Sequence, residues 1–229
     1  MLINRLSPSM VIDYCSCPKM FYYRYVAKVQ LPTKQIHLSF GSGIHASIEN
    51  LYIGKDPYEA FKKEFTINKL MDDEKGLYDE YVKLGHEMIK NYSEIHPSLD
   101  KLYNLKEGKS EIYFKEYMRN PITGEQSTLP LAGRIDRLTN NGKIVEYKTS
   151  KNVWKQDEMA FKVQTLLYNL WYHTKYNRIA DETLYIILLK KYKSVGKGET
   201  TQVLSNHSTL DELASIFEEL ELLVEKNRK

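Results

Sequence analysis

Apolar residues return at helical intervals through the first hundred positions. Ser7-Pro8 ahead of Ser9-Met10-Val11-Ile12 reads as a helix start, with Ser7 as cap and Pro8 where its missing N–H is harmless. Pro18 ends that helix, and an aromatic stretch from Phe21 to Val26 follows. Gly41 and Gly43 punctuate the chain before a helix over 44–52. Three- and four-residue spacing predicts further helices over 57–66 and 75–95.

The period then changes to two. Strands are expected over 110–118, 131–138 and 143–149, separated by the turn formers Asn120-Pro121-Ile122-Thr123-Gly124 and Asn140-Asn141-Gly142. Asn141-Gly142 is a strong hairpin signal, so 131–138 and 143–148 are expected to be antiparallel neighbours. A long helix over 156–175 leads into Thr183–Leu189, an apolar run expected to be a buried central strand. A strand near 199–205 and a helix from Ser208 to the end complete the pattern. Helices, three strands, a helix, two strands and a helix make a mixed α/β fold with a helical N-terminal elaboration.

Composition narrows the class. The 229 residues are 42% hydrophobic and 28% charged, enough for a sizeable core and unlike a disordered chain. No apolar run reaches membrane-spanning length, and the first residues lack the pattern of a signal peptide, so no membrane association is expected. The formal charge of +3 permits a polyanionic partner without demanding one, and the 18 tyrosines can stack on bases or fill a core. Cys15 and Cys17, the only cysteines, make neither a disulfide framework nor a complete all-cysteine metal site.

Three segments carry candidate chemistry. In Lys143–Ser150, Glu146 and Lys148 are two apart and share a strand face. The hairpin partner brings Asp136 close to Glu146, and two such carboxylates repel unless a cation or proton lies between them. Their oxygens suit Mg²⁺ or Mn²⁺, and Lys148 would orient or help deprotonate an attacking water, or stabilise charge on phosphoryl oxygens. A surface ion pair is the alternative. His45 and Glu49 share a helix face, and a histidine nitrogen in a divalent site tilts preference toward Mn²⁺; a core or surface histidine is the alternative. Gln164 and Tyr168 form an i,i+4 pair beside the stripe of Leu166, Leu167, Leu170 and Trp171, where they either hydrogen-bond a phosphate or simply edge the helix.

Together these pieces resemble the PD-(D/E)xK nuclease superfamily, in the branch of RecB-type nuclease domains and CRISPR-associated Cas4-like exonucleases. The resemblance is carried by Ser7-Pro8-Ser9 with Tyr14 and Cys17-Pro18-x-x-Phe21-x-Tyr23-Arg24-Tyr25. It continues through Gly41-x-Gly43-x-His45-x-x-x-Glu49, Gly133-x-Ile135-Asp136, Glu146-Tyr147-Lys148-Thr149 and Gln164-x-x-x-Tyr168.

The resemblance implies a restriction-endonuclease-like core in one unit. Residues 1–105 would be its helical part carrying the histidine motif, 106–207 its catalytic α/β core and 208–229 its last helix. It implies a metal-dependent DNA exonuclease, with a structure-selective endonuclease or a catalytically silent DNA-binding module as alternatives. His45, Asp136, Glu146 and the backbone carbonyl of Tyr147 would ligate Mg²⁺ or Mn²⁺. Lys148 would activate or position the water, and Gln164 and Tyr168 would shape the site and contact the DNA. Tyr22, Tyr23, Arg24, Lys28 and Lys34 are expected to hold DNA, as a single strand or a duplex end, by stacking and phosphate contact. Many relatives bind an iron–sulfur cluster through one N-terminal and three C-terminal cysteines. The C-terminal half here has none, so no cluster is expected. A cytoplasmic location (host cytoplasm for a phage protein), a homo-oligomer, and recombination, helicase or CRISPR-adaptation partners are what the family analogy adds.

Overall fold

The computed structural model describes residues 3–29, 35–155, 159–190 and 200–226. Helix α1 (Pro8–Ser16) starts as its sequence dictates, with the Ser7 hydroxyl accepting from the Met10 N–H and Pro8 in the first turn. Cys17 is extended, as a residue before proline prefers, and Pro18 opens the short α2 (Pro18–Phe21). The aromatic stretch continues as a π-helical turn, Tyr22–Val26.

Helix α3 (Gln35–Tyr52) runs straight through Gly41 and Gly43, correcting the expectation that these glycines stand before a helix at 44. Packing explains the glycine at 43. A Cβ there would lie 2.8 Å from the ring of Phe61, whereas one at Gly41 would meet nothing within 4 Å. Phe61 belongs to α4 (Pro57–Glu64), capped by Asp56. Helix α5 (Tyr78–Tyr103) begins later and ends later than its expected 75–95, and it continues past Pro97 to a left-handed Asn104. Beyond the proline, Leu99 and Tyr103 still pack on the core, and that burial outweighs one missing backbone bond.

Five strands form one mixed sheet in sequence order: β1 (Gly108–Arg119), β2 (Gln126–Thr139), β3 (Lys143–Ser150), β4 (Glu182–Leu189) and β5 (Thr201–Asn206). β1–β2 and β2–β3 are antiparallel hairpins, the second turning at Gly142 with φ 82°. β3 and β4 are parallel over eight residue pairs, joined by α6 (Met159–Tyr176), and β5 returns antiparallel. Every expected strand is present. The expected starts at 156 and 199 lie outside the described residues, and α7 (Leu210–Lys226) starts two residues later than expected.

Helices cover both faces. α1, α6 and α7 bury Ile135, Ile144 and Phe114 on one side, while α3, α4 and α5 bury Val145, Tyr147, Leu184 and Ile186 on the other. The site lies where these two cores meet.

Candidate active site

β2 and β3 pair only at Arg137–Val145 and Leu138–Ile144, next to their turn. Beyond those pairs the strands fork, and their backbone groups need other partners. The carboxylate of Asp136 accepts the Tyr147 N–H at 2.8 Å. On β2, the Arg134 carbonyl accepts the Tyr168 hydroxyl from α6, also at 2.8 Å. Farther out, Leu6 pairs with Pro130 and Ala132. Side chains from both helical layers thereby enter the sheet at Asp136.

His45 comes from α3, and its Nδ1 lies 3.1 Å from Asp136 Oδ1. Glu146 and Lys148 share one face of β3, as their spacing requires, with Nζ donating to Glu146 Oε1 at 2.6 Å. Gln164 Nε2 donates to the same Oε1 at 3.0 Å and to the Tyr168 hydroxyl at 2.8 Å. His45–Asp136 and Lys148–Glu146–Gln164–Tyr168 therefore form two hydrogen-bonded groups that act on each other electrostatically.

The charges in the two groups are unevenly shared. Burial raises the Glu146 carboxyl and the negative Asp136 raises it further, to about 7 despite Lys148. Asp136 is buried too, yet the His45 imidazole and Lys148 hold it below its ordinary value. Burial works against a charged His45, but Asp136 prevails and lifts it. Lys148 is likewise raised, its desolvation outweighed by Glu146 and Asp136. A carboxylate pair driven apart in this way is a mark of functional sites.

Glu111 joins the site without having been singled out in the sequence. It sits opposite Asp136 in β1, between the pairs Ser110–Arg137 and Ile112–Ile135, with a left-handed backbone of φ 55°. Ligand atoms of His45, Glu111 and Asp136 lie within 4.8 Å of one another. They line a small cavity with Glu49, Tyr52 and Tyr147. Burial raises the Glu111 carboxyl, opposed by Arg134, whose guanidinium lies 2.9 Å from Oε2. Only the irregular backbone of β1 marks this residue, and the strand's alternation gave no warning of it.

The donor set fits a divalent cation. The imidazole nitrogen of His45 and carboxylate oxygens of Glu111 and Asp136 converge, while Glu146, outside that group, has its Oε2 buried with no hydrogen-bond partner among the described residues. Both donors to Glu146 use Oε1, leaving Oε2 with spare acceptor capacity.

The N-terminal residues stand elsewhere. Tyr22 and Tyr23 are exposed and meet edge to face. Arg24 is ion-paired with Asp13, and Lys28 borders a surface pocket with Arg5, Ser7 and Tyr25. No hydrogen bond among the described residues joins these four to either group, and Lys34 lies outside the described residues. Cys15 and Cys17 are free and exposed, with Cys17 capping α2 through its sulfur. No helix among the described residues is long and apolar enough to cross a membrane.

Comparison with known proteins bears on the fold and the family. No curated protein matches the sequence. Among solved structures, the Eubacterium rectale protein named "Putative exonuclease" superposes with a TM-score of 0.56 at 13% identity, covering 97% of this chain and 79% of its own, and so shares the fold. The protein SSO0001 aligns over 89% of this chain and 83% of its own at 12% identity, but its TM-score of 0.34 carries no argument. The sequence model of the PD-(D/E)XK nuclease superfamily matches residues 5–228, nearly the full length. With a mixed sheet flanked by helices and an acidic pair beside a lysine at its fork, the chain belongs to the PD-(D/E)XK nuclease superfamily.

Proposed function

We propose that this nuclease is a divalent-metal-dependent DNA exonuclease of the RecB and Cas4 type. The observation that carries the reading is the forked sheet, which gathers His45, Asp136, Glu146 and Lys148 and leaves Glu146 Oε2 unsatisfied. The similar fold of the protein named "Putative exonuclease" supports it.

In this reading His45, Asp136, Glu146 and the Tyr147 carbonyl hold Mg²⁺ or Mn²⁺, with Glu111 as an additional oxygen donor. The ion would polarise the scissile phosphate and lower the pKa of a water. Lys148 stays protonated against Glu146 and stabilises charge growing on the phosphoryl oxygens. Gln164 fixes Glu146 Oε1 and Tyr168 together, so the carboxylate presents Oε2 in one orientation. Tyr22 and Tyr23 offer exposed rings for stacking, while Arg24 is already committed to Asp13. With two cysteines in the whole chain, no iron–sulfur cluster is formed in this reading.

The test is digestion of end-labelled linear and closed circular DNA, single- and double-stranded, with Mg²⁺, Mn²⁺ or EDTA. Metal-dependent loss of linear DNA alone, abolished by Lys148→Ala and Glu146→Ala, is expected. Cutting of circles would reassign the enzyme as an endonuclease. Binding without cleavage under every condition would make it a DNA-binding module.

A further inference from the structure

The two faces of β1 differ sharply. Phe114 and Met118 turn into the core, where Phe114 stacks on Trp171 with ring centroids 4.8 Å apart. The alternate residues Tyr113, Lys115, Tyr117 and Arg119 turn to solvent, the two tyrosines being 65% and 50% exposed. Register places Arg134 of β2 directly opposite Tyr113, with its side chain 59% exposed. Successive residues on one strand face are about 6.8 Å apart, so aromatic rings and cations alternate at short intervals, with the ladder's register shifting between Tyr117 and Arg119.

This row leads to the site. Arg134 reaches Glu111, and Glu111 lines the cavity of His45 and Asp136. Lys115 and Arg119 form no salt bridge among the described residues, whereas Glu116, on the other face, is paired with Lys175. Two bare tyrosines give such a face no folding role, because burying them would stabilise the chain more than exposing them.

We propose that the outer face of the β1–β2 ribbon is the track along which a single nucleic-acid strand enters the site. Bases stack on Tyr113 and Tyr117, and Lys115, Arg119 and Arg134 hold the phosphates. This rests on the nuclease reading above and adds the route of its substrate. Charge selects the occupant. A polyanion meets two cations unpaired among the described residues, Lys115 and Arg119, beside Arg134 in its ion pair with Glu111, whereas a second copy packed symmetrically on this face would bring the same cations against themselves.

The experiment is fluorescence anisotropy with fluorescein-labelled oligothymidine in EDTA, run beside cleavage assays in Mn²⁺. The double change Tyr113→Ala/Tyr117→Ala is expected to weaken binding about tenfold or more, and Tyr113→Phe/Tyr117→Phe to restore it. Lys115→Ala/Arg119→Ala should flatten the dependence of log K on log salt by roughly 0.7 per cation removed. Circular dichroism checks that each variant is folded. Unchanged affinity and salt slope in a wild type that binds and cleaves would overturn the track and leave the nuclease reading standing. A wild type that neither binds nor cleaves any nucleic acid would remove both. Unchanged affinity with an altered sedimentation coefficient in the alanine pair would make this a self-association face instead.

Discussion

Asp136 accepts the backbone N–H of Tyr147 where β2 and β3 part, so one carboxylate closes the broken ladder and faces His45. The two jobs separate by substitution. Asp136→Asn keeps an acceptor for the N–H but loses the charge, whereas Asp136→Ala loses both. Both variants should lose roughly 10²–10³-fold in activity or more. Only the alanine should also lose stability, by about 1–3 kcal/mol, the cost of an orphaned buried donor. Thermal melts beside single-turnover cleavage distinguish them. Equal melting temperatures would show that the hydrogen bond contributes nothing.

Glu146 gives the metal-free protein a particular pH response. Its carboxyl rises from the ordinary 4.5 to about 7 on folding. Between those values the native chain holds a proton that the unfolded chain has released. Stability from this group is therefore present at low pH, falls as pH rises through the window, and stays lower above it. Glu146→Gln removes the contribution. In EDTA, the variant's melting temperature relative to wild type should climb by several degrees from pH 5 to pH 8, at about 2–4 °C per kcal/mol for a chain of this size. A difference independent of pH would contradict the assignment.

Cation choice should follow the donors. Removing the imidazole with His45→Ala should weaken Mn²⁺ binding by about 10–100-fold and lower the ratio of Mn²⁺- to Mg²⁺-supported activity. Glu111→Gln should weaken Mn²⁺ binding as well, because an amide oxygen replaces a charged carboxylate ligand. Electron paramagnetic resonance of free Mn²⁺ in titrations reads both directly. Wild-type affinity in Glu111→Gln would exclude that carboxylate from the ion's shell.

The two glycines before His45 should behave oppositely. Gly41→Ala puts a methyl into open space on a helix and should stabilise by about 0.5–1 kcal/mol. Gly43→Ala drives a methyl against Phe61 and Phe65 and should destabilise by about 1–3 kcal/mol. Denaturant melts of both variants check the contrast.

That contrast also marks where sequence reading reached its limit. Alternation and the Asn-Gly turn located the strands, because a half-buried ribbon must alternate. The Glu146–Lys148 face followed from the same rule. Glycine has no comparable single meaning: residue 43 is small because an aromatic ring from α4 lies against it, a contact between distant segments. Glu111 was hidden for a related reason. Its place opposite Asp136 depends on pairing with a strand that comes later in the chain, and no residue type announces its left-handed backbone.

Leu6 has a consequence of its own. Its backbone seals the outer length of β2 that the fork leaves bare, giving its N–H to Pro130 and accepting from Ala132. An uncovered strand edge is a template for intermolecular pairing. Deleting the chain through Leu6 would thus endanger solubility before catalysis: the truncated protein would expose a ready-made seam to its neighbours, and its losses would be read in turbidity rather than turnover.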